Sequence, residues 1–66
     1  MNGFKRLRLL AGMNVVEVAN ALNVSPSTVL SWEKNKSKPQ PGKIKPLAAL
    51  YNCSTEAIVD AYAAQD

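Results

Sequence analysis

The sequence NVVEVANALNVSPSTVLSWEKNKSKP, residues 14–39, predicts two short helices joined by a tight turn. Asn14 is a suitable N-cap for the first helix, and Glu17 stands three residues later, where it completes a capping box. Asn23 follows this helix and tolerates the left-handed conformation with which many helices end. The apolar residues between these signals recur on one helical face: Val15, Val18, Ala19 and Leu22.

The second helix begins at Ser25 and Pro26, an N-cap followed by a proline in the first turn, which is the favoured order. Val29 and Trp32 give it an inner face. Because only about three residues separate the two helices, they must pack at a steep angle. The segment therefore predicts a helix-turn-helix.

The rest of the chain predicts three further helices and no strands. Gly12 and Asn52 mark two helix ends, and Ser54 is an N-cap for the last helix. Residues 35–43, with two prolines and a glycine, predict a connection. The predicted helices are Gly3–Ala11, with Phe4, Leu7 and Leu10 directed inward; Val15–Leu22; Pro26–Lys34; Ile44–Tyr51; and a fifth from Ser54 past Tyr62.

Composition predicts one small domain, residues 1–66, with 47% hydrophobic and 20% charged residues. A chain of this size buries about 60% of the surface that its unfolded form exposes, so we expect modest stability. One cysteine and no histidine argue against an internal disulfide, structural zinc or histidine-based catalysis. We expect no enzyme activity, no metal and no cofactor. The first residues lack the apolar core of a signal peptide, and we expect a cytoplasmic protein without membrane spans.

The net charge of +3 is unevenly distributed. Residues 34–45 contain five lysines and no acidic residue, whereas residues 46–66 contain three acidic residues and no basic one. The lysines could simply be solvated. Their position directly after the second helix of the turn motif instead favours contact with nucleic-acid phosphates.

Residues over nearly the whole chain resemble one protein family. The most specific are the run Trp32-Glu33-x-x-Lys36 and the pairing of Arg8 with Glu33. The pattern is completed by Leu7, Gly12-Met13-Asn14, Glu17-Val18-Ala19, Leu22 to Ser25, Thr28-Val29, Lys38-Pro39, Leu47-Ala48 and Cys53-Ser54. Together they resemble the Cro/CI-type helix-turn-helix repressors, also called the xenobiotic-response-element family.

This resemblance implies an all-α, five-helix, lambda-repressor-like DNA-binding domain in which helices 2 and 3 form the helix-turn-helix. It implies a short, phage-type, Cro-like regulator that binds a palindromic double-stranded operator as a homodimer, without a small-molecule ligand. Three positions depart from the family pattern. Val15 replaces a polar residue, often Gln, that clamps a phosphate, while Asn23 and Asn35 replace glycines.

The resemblance also suggests roles for individual residues. Arg8 and Glu33 match an internal ion pair, although Arg8 could contact DNA instead. The outer face of the second turn helix would read bases through short side chains, unless it is only a polar surface. The base-contacting candidates are Pro26, Ser27, Thr28 and Ser31, with Leu30 at a family contact position. The phosphate candidates are Asn14, Lys34, Asn35, Lys36, Lys38 and Lys43.

Other residues have plainer interpretations. Trp32 and Cys53 are expected to pack in or near the core, and Lys5 and Lys45 to be solvated. On the last helix, Ile58, Val59 and Tyr62 form an apolar strip larger than a monomer needs, so we predict a dimer interface there.

Two other functions remain open from the sequence. The first is the antitoxin of a toxin–antitoxin pair. The second is a protein-interaction module in which the same fold has lost its affinity for DNA. Val15 and the short hydroxyl side chains favour the second alternative, and the lysines oppose it.

Overall fold

The computed structural model describes residues 1–65, which form five α-helices, one turn of 3-10 helix and no strand. The prediction of an all-α, five-helix fold is therefore confirmed. Three of the predicted helix ends differ from the observed ones by one residue. The elements are α1 (Gly3–Leu10), α2 (Val15–Leu22), α3 (Pro26–Glu33), the 3-10 turn (Pro41–Lys43), α4 (Ile44–Leu50) and α5 (Thr55–Ala63).

The first turns of three helices are capped by the residues that the sequence indicates. Asn14 and Glu17 form both bonds of a capping box: Glu17 N donates to Asn14 Oδ1 at 2.8 Å, and Asn14 N donates to Glu17 Oε1 at 2.9 Å. Ser25 Oγ accepts from Thr28 N at 3.3 Å, and Ser54 Oγ accepts from the backbone of α5. These contacts satisfy N–H groups that have no partner inside their own helix.

The first four α-helices all end in the same way. A residue with positive φ follows each of them, and the next backbone N–H donates to the carbonyl oxygen five residues earlier. The donors in these bonds are Met13, Val24, Lys36 and Cys53, at 2.9–3.2 Å. The positive-φ residues are Gly12, Asn23, Asn35 and Asn52, with φ between 53° and 71°. This is the Schellman arrangement, and only glycine and asparagine adopt its left-handed residue readily.

The connection after α3 differs from the prediction in one respect. A 3-10 turn at Pro41–Lys43 leads directly into α4, so helical backbone begins before Ile44. Pro41 stands at the first position of this turn, where its fixed φ suits helical backbone and its missing N–H is not needed. Pro39 is fully buried and attaches the connection to the core.

The core lies between all five helices. Its buried members are Phe4, Val18, Ala19, Leu22, Val29, Trp32, Leu47, Ala48, Tyr51, Ile58 and Ala61.

The predicted inward position of Leu10 is wrong, since its side chain is 78% exposed. The buried face of α1 is centred on Phe4 and Arg8, four residues apart, and Leu10 lies on another side of the helix. No helix among residues 1–65 is long and apolar enough to cross a membrane.

The left-handed residue after α2 provides a test of this account. We expect Asn23→Ala to lower the free energy of unfolding by about 1–2 kcal/mol, because alanine tolerates φ near +57° poorly. The measurement is urea denaturation followed by circular dichroism. The control is Asn20→Ala, at an exposed position inside the same helix, which should be neutral or stabilising by about 0.5 kcal/mol. Equal effects at both positions would contradict the assignment.

Candidate nucleic-acid interface

A buried, bidentate ion pair holds the C-terminal end of α3 against α1. Arg8 Nε donates to Glu33 Oε2 at 2.7 Å, and Arg8 Nη2 donates to Glu33 Oε1 at 2.9 Å. The two side chains are only 10% and 4% exposed. Arg8 Nη1 also donates to the carbonyl oxygen of Met13 at 3.1 Å, so one guanidinium joins α1, the α1–α2 loop and α3.

The electrostatics of the pair follow from this geometry. The hydrogen bond that Arg8 donates to Glu33 raises the pKa of Arg8, and burial opposes this shift. The guanidinium donates all three of these bonds inside the protein. The structure therefore agrees with the internal ion pair predicted for Arg8 and not with a DNA contact.

The outward face of α3 carries small and apolar side chains. Ser27 is exposed, Leu30 is 38% exposed and Ser31 is half-buried, whereas Val29 and Trp32 are buried on the opposite side. Ser27, Leu30 and Ser31, with Lys34 after the helix, recur at intervals of three, one and three, which is one helical face. The face therefore runs without interruption into the lysine-rich segment.

The hydroxyl groups at the start of α3 lie within hydrogen-bond distance of one another. Ser25 Oγ lies 3.0 Å from Ser27 Oγ and 2.9 Å from Thr28 Oγ1, within hydrogen-bond distance of both. Thr28 is half-buried and, with Trp32, lines a shallow cleft beside Ser37 and Lys38. Thr28, one of the predicted base-contacting residues, therefore lies on the side of α3 that faces Ser37 and Lys38, and not on the outward face.

Most of the predicted phosphate contacts lie in one exposed segment. Lys34, Asn35, Lys36 and Lys38 are all exposed, directly after α3. Asn14 lies at the start of α2, where its Oδ1 atom is engaged in the capping box. Val15, next to it, has no polar group in its side chain, so this residue can meet an anion only through its backbone N–H.

Lys43 is the exception among these lysines. Its side chain is half-buried, and Nζ donates to the carbonyl oxygen of Leu22 at 3.1 Å. This places a positive charge at the C-terminal end of α2, where it interacts favourably with the helix dipole. The structure therefore gives Lys43 a role in the turn motif that the sequence did not indicate.

Two amide side chains that sequence reasoning missed also bind the end of α3. Asn2 Nδ2 donates to Trp32 O at 2.7 Å and to Asn35 Oδ1 at 3.0 Å. Gln65 Nε2 donates to the same Trp32 carbonyl at 2.7 Å and to Ser37 O at 3.1 Å. Asn2 could have been recognised as the N-cap of α1, since its Oδ1 accepts from Lys5 N. Nothing local predicts the contacts of Gln65, whose partners are 28 and 33 residues away.

The apolar strip predicted on α5 is smaller in the structure. Ile58 is fully buried inside the monomer, so its proposed contact with a second subunit is wrong. Val59 is 50% exposed, because one step along a helix turns the side chain away from the core. Tyr62 is half-buried, and its ring packs edge-on against Phe4 with centroids 5.8 Å apart.

Cys53 lies half-buried between α4 and α5. Burial raises the pKa of its thiol, which lowers the fraction of reactive thiolate at neutral pH. These features agree with a packing role.

The comparison with protein families agrees with the geometry. A family model described as helix-turn-helix, of the Cro/C1 type, matches residues 4–58, most of the chain. The chain belongs to this helix-turn-helix family. The match contains the ion pair, both helices of the turn motif and the lysine-rich segment, and it identifies a DNA-binding regulator. No curated protein and no solved structure matches the chain significantly.

The ion pair of this helix-turn-helix protein provides a second test. We expect Glu33→Gln to lower the free energy of unfolding by about 3–5 kcal/mol, because it leaves the buried Arg8 charge without its partner. Urea denaturation measures the loss. The matched control is the double variant Arg8→Met with Glu33→Leu, which removes both charges and should recover much of the stability. A loss below about 1 kcal/mol in the single variant would mean that the pair behaves as if exposed.

Proposed function

We propose that this chain is a sequence-specific, Cro-like transcriptional repressor that binds a palindromic double-stranded operator as a homodimer. One observation carries the proposal: the outward face of α3 continues directly into an exposed segment rich in lysine. A surface that combines groups able to meet base edges with adjacent positive charge is suited to a DNA groove.

In the proposed complex, α3 lies in the major groove, which is wide enough to admit a helix. Lys34, Lys36 and Lys38 then contact phosphates at one end of α3. The free N–H groups at the start of α2 face another phosphate. Two subunits place their α3 helices in successive major grooves about 34 Å apart, and the bound dimer excludes RNA polymerase.

The side chains on α3 suggest how such a repressor would choose its site. Serine hydroxyls both donate and accept, so they discriminate between bases less sharply than arginine or glutamine. We therefore propose that the shape and deformability of the operator contribute much of the specificity.

The proposed dimer would be weak in the absence of DNA. With Ile58 inside the monomer, Val59 and the edge of Tyr62 are the parts of the predicted strip that remain available. This apolar area is small. Binding to adjacent half-sites raises the effective concentration of the second subunit, so we propose that the dimer assembles on the operator.

A protein-interaction module is the second candidate, and the surface of α1 favours it. Leu9 and Leu10 are 48% and 78% exposed, and Val16 on α2 is 55% exposed. These side chains could contact another protein, including the toxin of an antitoxin pair. Salt-sensitive binding to duplex DNA separates this candidate from the repressor.

The experiment that tests the proposed function is selection from a random duplex library at about 150 mM salt, followed by titration of the selected site at several salt concentrations. We expect a two-fold symmetric consensus with half-sites about one helical turn apart. If Lys34, Lys36 and Lys38 of each subunit each neutralise one phosphate, the log–log salt slope of a dimer should be about −5. Enrichment without a consensus, or a slope near −2, would contradict the proposal, and no enrichment would favour the interaction module.

Paired charge variants sharpen this experiment. Lys34→Gln with Lys36→Gln should make the slope less steep by about 4, because a dimer then loses four phosphate contacts. Lys5→Gln with Lys45→Gln removes the same charge from exposed positions outside the proposed interface and should leave the slope nearly unchanged.

Leu30 generates a further prediction about base reading. Its exposed side chain lies on the outward face of α3, and an apolar side chain there can contact the methyl group of thymine. Replacing the contacted thymine by deoxyuridine in the selected site should weaken binding by about 0.8 kcal/mol per subunit, about fourfold. The Leu30→Ala variant should bind both sites equally. If the wild type is insensitive to every such replacement, Leu30 does not read thymine.

A further inference from the structure

The carbonyl oxygen of Trp32 is a shared acceptor at the end of α3. Asn2 Nδ2 and Gln65 Nε2 both donate to it at 2.7 Å, one from the N-cap of α1 and the other from beyond α5. It is one of the last carbonyl groups of α3, which lack the usual donor four residues later, and the backbone N–H of Asn35 also donates to it at 3.4 Å. Residues from both ends of the described chain thus donate to one carbonyl, at the point where the lysine-rich segment begins.

Gln65 makes the more informative of these contacts. Its Nε2 group bridges Trp32 O and Ser37 O, so it joins the two ends of the stretch that carries Lys34 and Lys36. The residue is only 7% exposed, and its Oε1 atom is buried without a hydrogen-bond partner. An unpaired buried acceptor is unfavourable, so burial of the amide is by itself no reason for this residue. The two bonds donated by the amide offer a reason.

The segment between Trp32 and Ser37 is held at several points. Lys36 N donates to Ser31 O at 2.9 Å, and Asn2 Nδ2 donates to the side chain of Asn35. With the bridge from Gln65, the backbone that carries Lys34 and Lys36 is fixed before any ligand arrives. A loop ordered in advance does not lose that conformational freedom on binding, which raises affinity without adding a contact.

We infer that Gln65 is a positioning residue for DNA binding, which holds the lysine-rich segment after α3 in the conformation that meets phosphates. The inference rests on the proposed function, and Asn2 assists in the same role. Gln65 itself touches no DNA in this account and acts through the backbone at Trp32 and Ser37.

The test compares two conservative variants with a destabilised control. Gln65→Met keeps the length of the side chain but removes both donated bonds. Asn2→Ser keeps an oxygen that can cap α1 but removes the amide donor to Trp32, without adding a charge. Ala48→Gly, in the core of α4, lowers stability without touching the segment. Each variant is first shown to be folded by thermal denaturation and is then assayed well below its melting temperature.

Three readouts separate positioning from general stability. For Gln65→Met we expect binding to the selected operator to weaken about tenfold, and the salt slope of the dimer to become less steep by about 2, one phosphate contact per subunit. We also expect faster amide hydrogen exchange at Lys36 and Ser37 in the free protein. Asn2→Ser should change the same readouts in the same direction, and Ala48→Gly should leave affinity and slope unchanged.

Other results would overturn the inference. A folded Gln65→Met protein with unaltered affinity and slope would show that the amide has only a structural role. An equal loss in Ala48→Gly would trace the effect to global stability. A wild type that binds no DNA would overturn the positioning role together with the proposed function. If the wild type binds DNA and only the Gln65→Met effects are missing, the inference alone fails.

Discussion

The buried ion pair between Arg8 and Glu33 is the constraint on which the rest of this small domain depends. Two charges that are almost completely removed from water are tolerable only as partners with good geometry. Their bidentate contact therefore sets the position of α3 relative to α1. The third bond of Arg8, to Met13 O, sets the loop that leads into α2. One interaction thus orients both helices of the turn motif.

The end of α3 is held by several hydrogen bonds to residues far away in the sequence. Glu33 is held by Arg8, while Asn2 and Gln65 both donate to the carbonyl of Trp32. The exposed lysines begin immediately after this point. A backbone held by hydrogen bonds and exposed, charged side chains suit the proposed binding of phosphates, because mainly the side chains would lose conformational freedom on binding.

Local signals predicted most of the fold. The capping box at Asn14, the serine caps and the left-handed asparagines each depend on neighbours within five residues, so they can be read from the sequence. Errors arose where a face was judged by hydrophobicity alone. Leu10 is exposed because the charged Arg8 occupies the buried face of α1, and Ile58 is buried because the core, not a partner, covers it. The lysine-rich segment was predicted, but the bond from Lys43 to Leu22 was not.

The sequence by itself determined the helices, their ends, the turn motif and the clustering of positive charge, since each is a matter of residues close together in the chain. The pairing of Arg8 with Glu33 was suggested only by family resemblance. Tertiary structure alone decided which apolar side chains are buried, and it alone brought Asn2 and Gln65 to Trp32. These contacts join residues at least 30 positions apart, and their energy depends on burial that no local pattern contains.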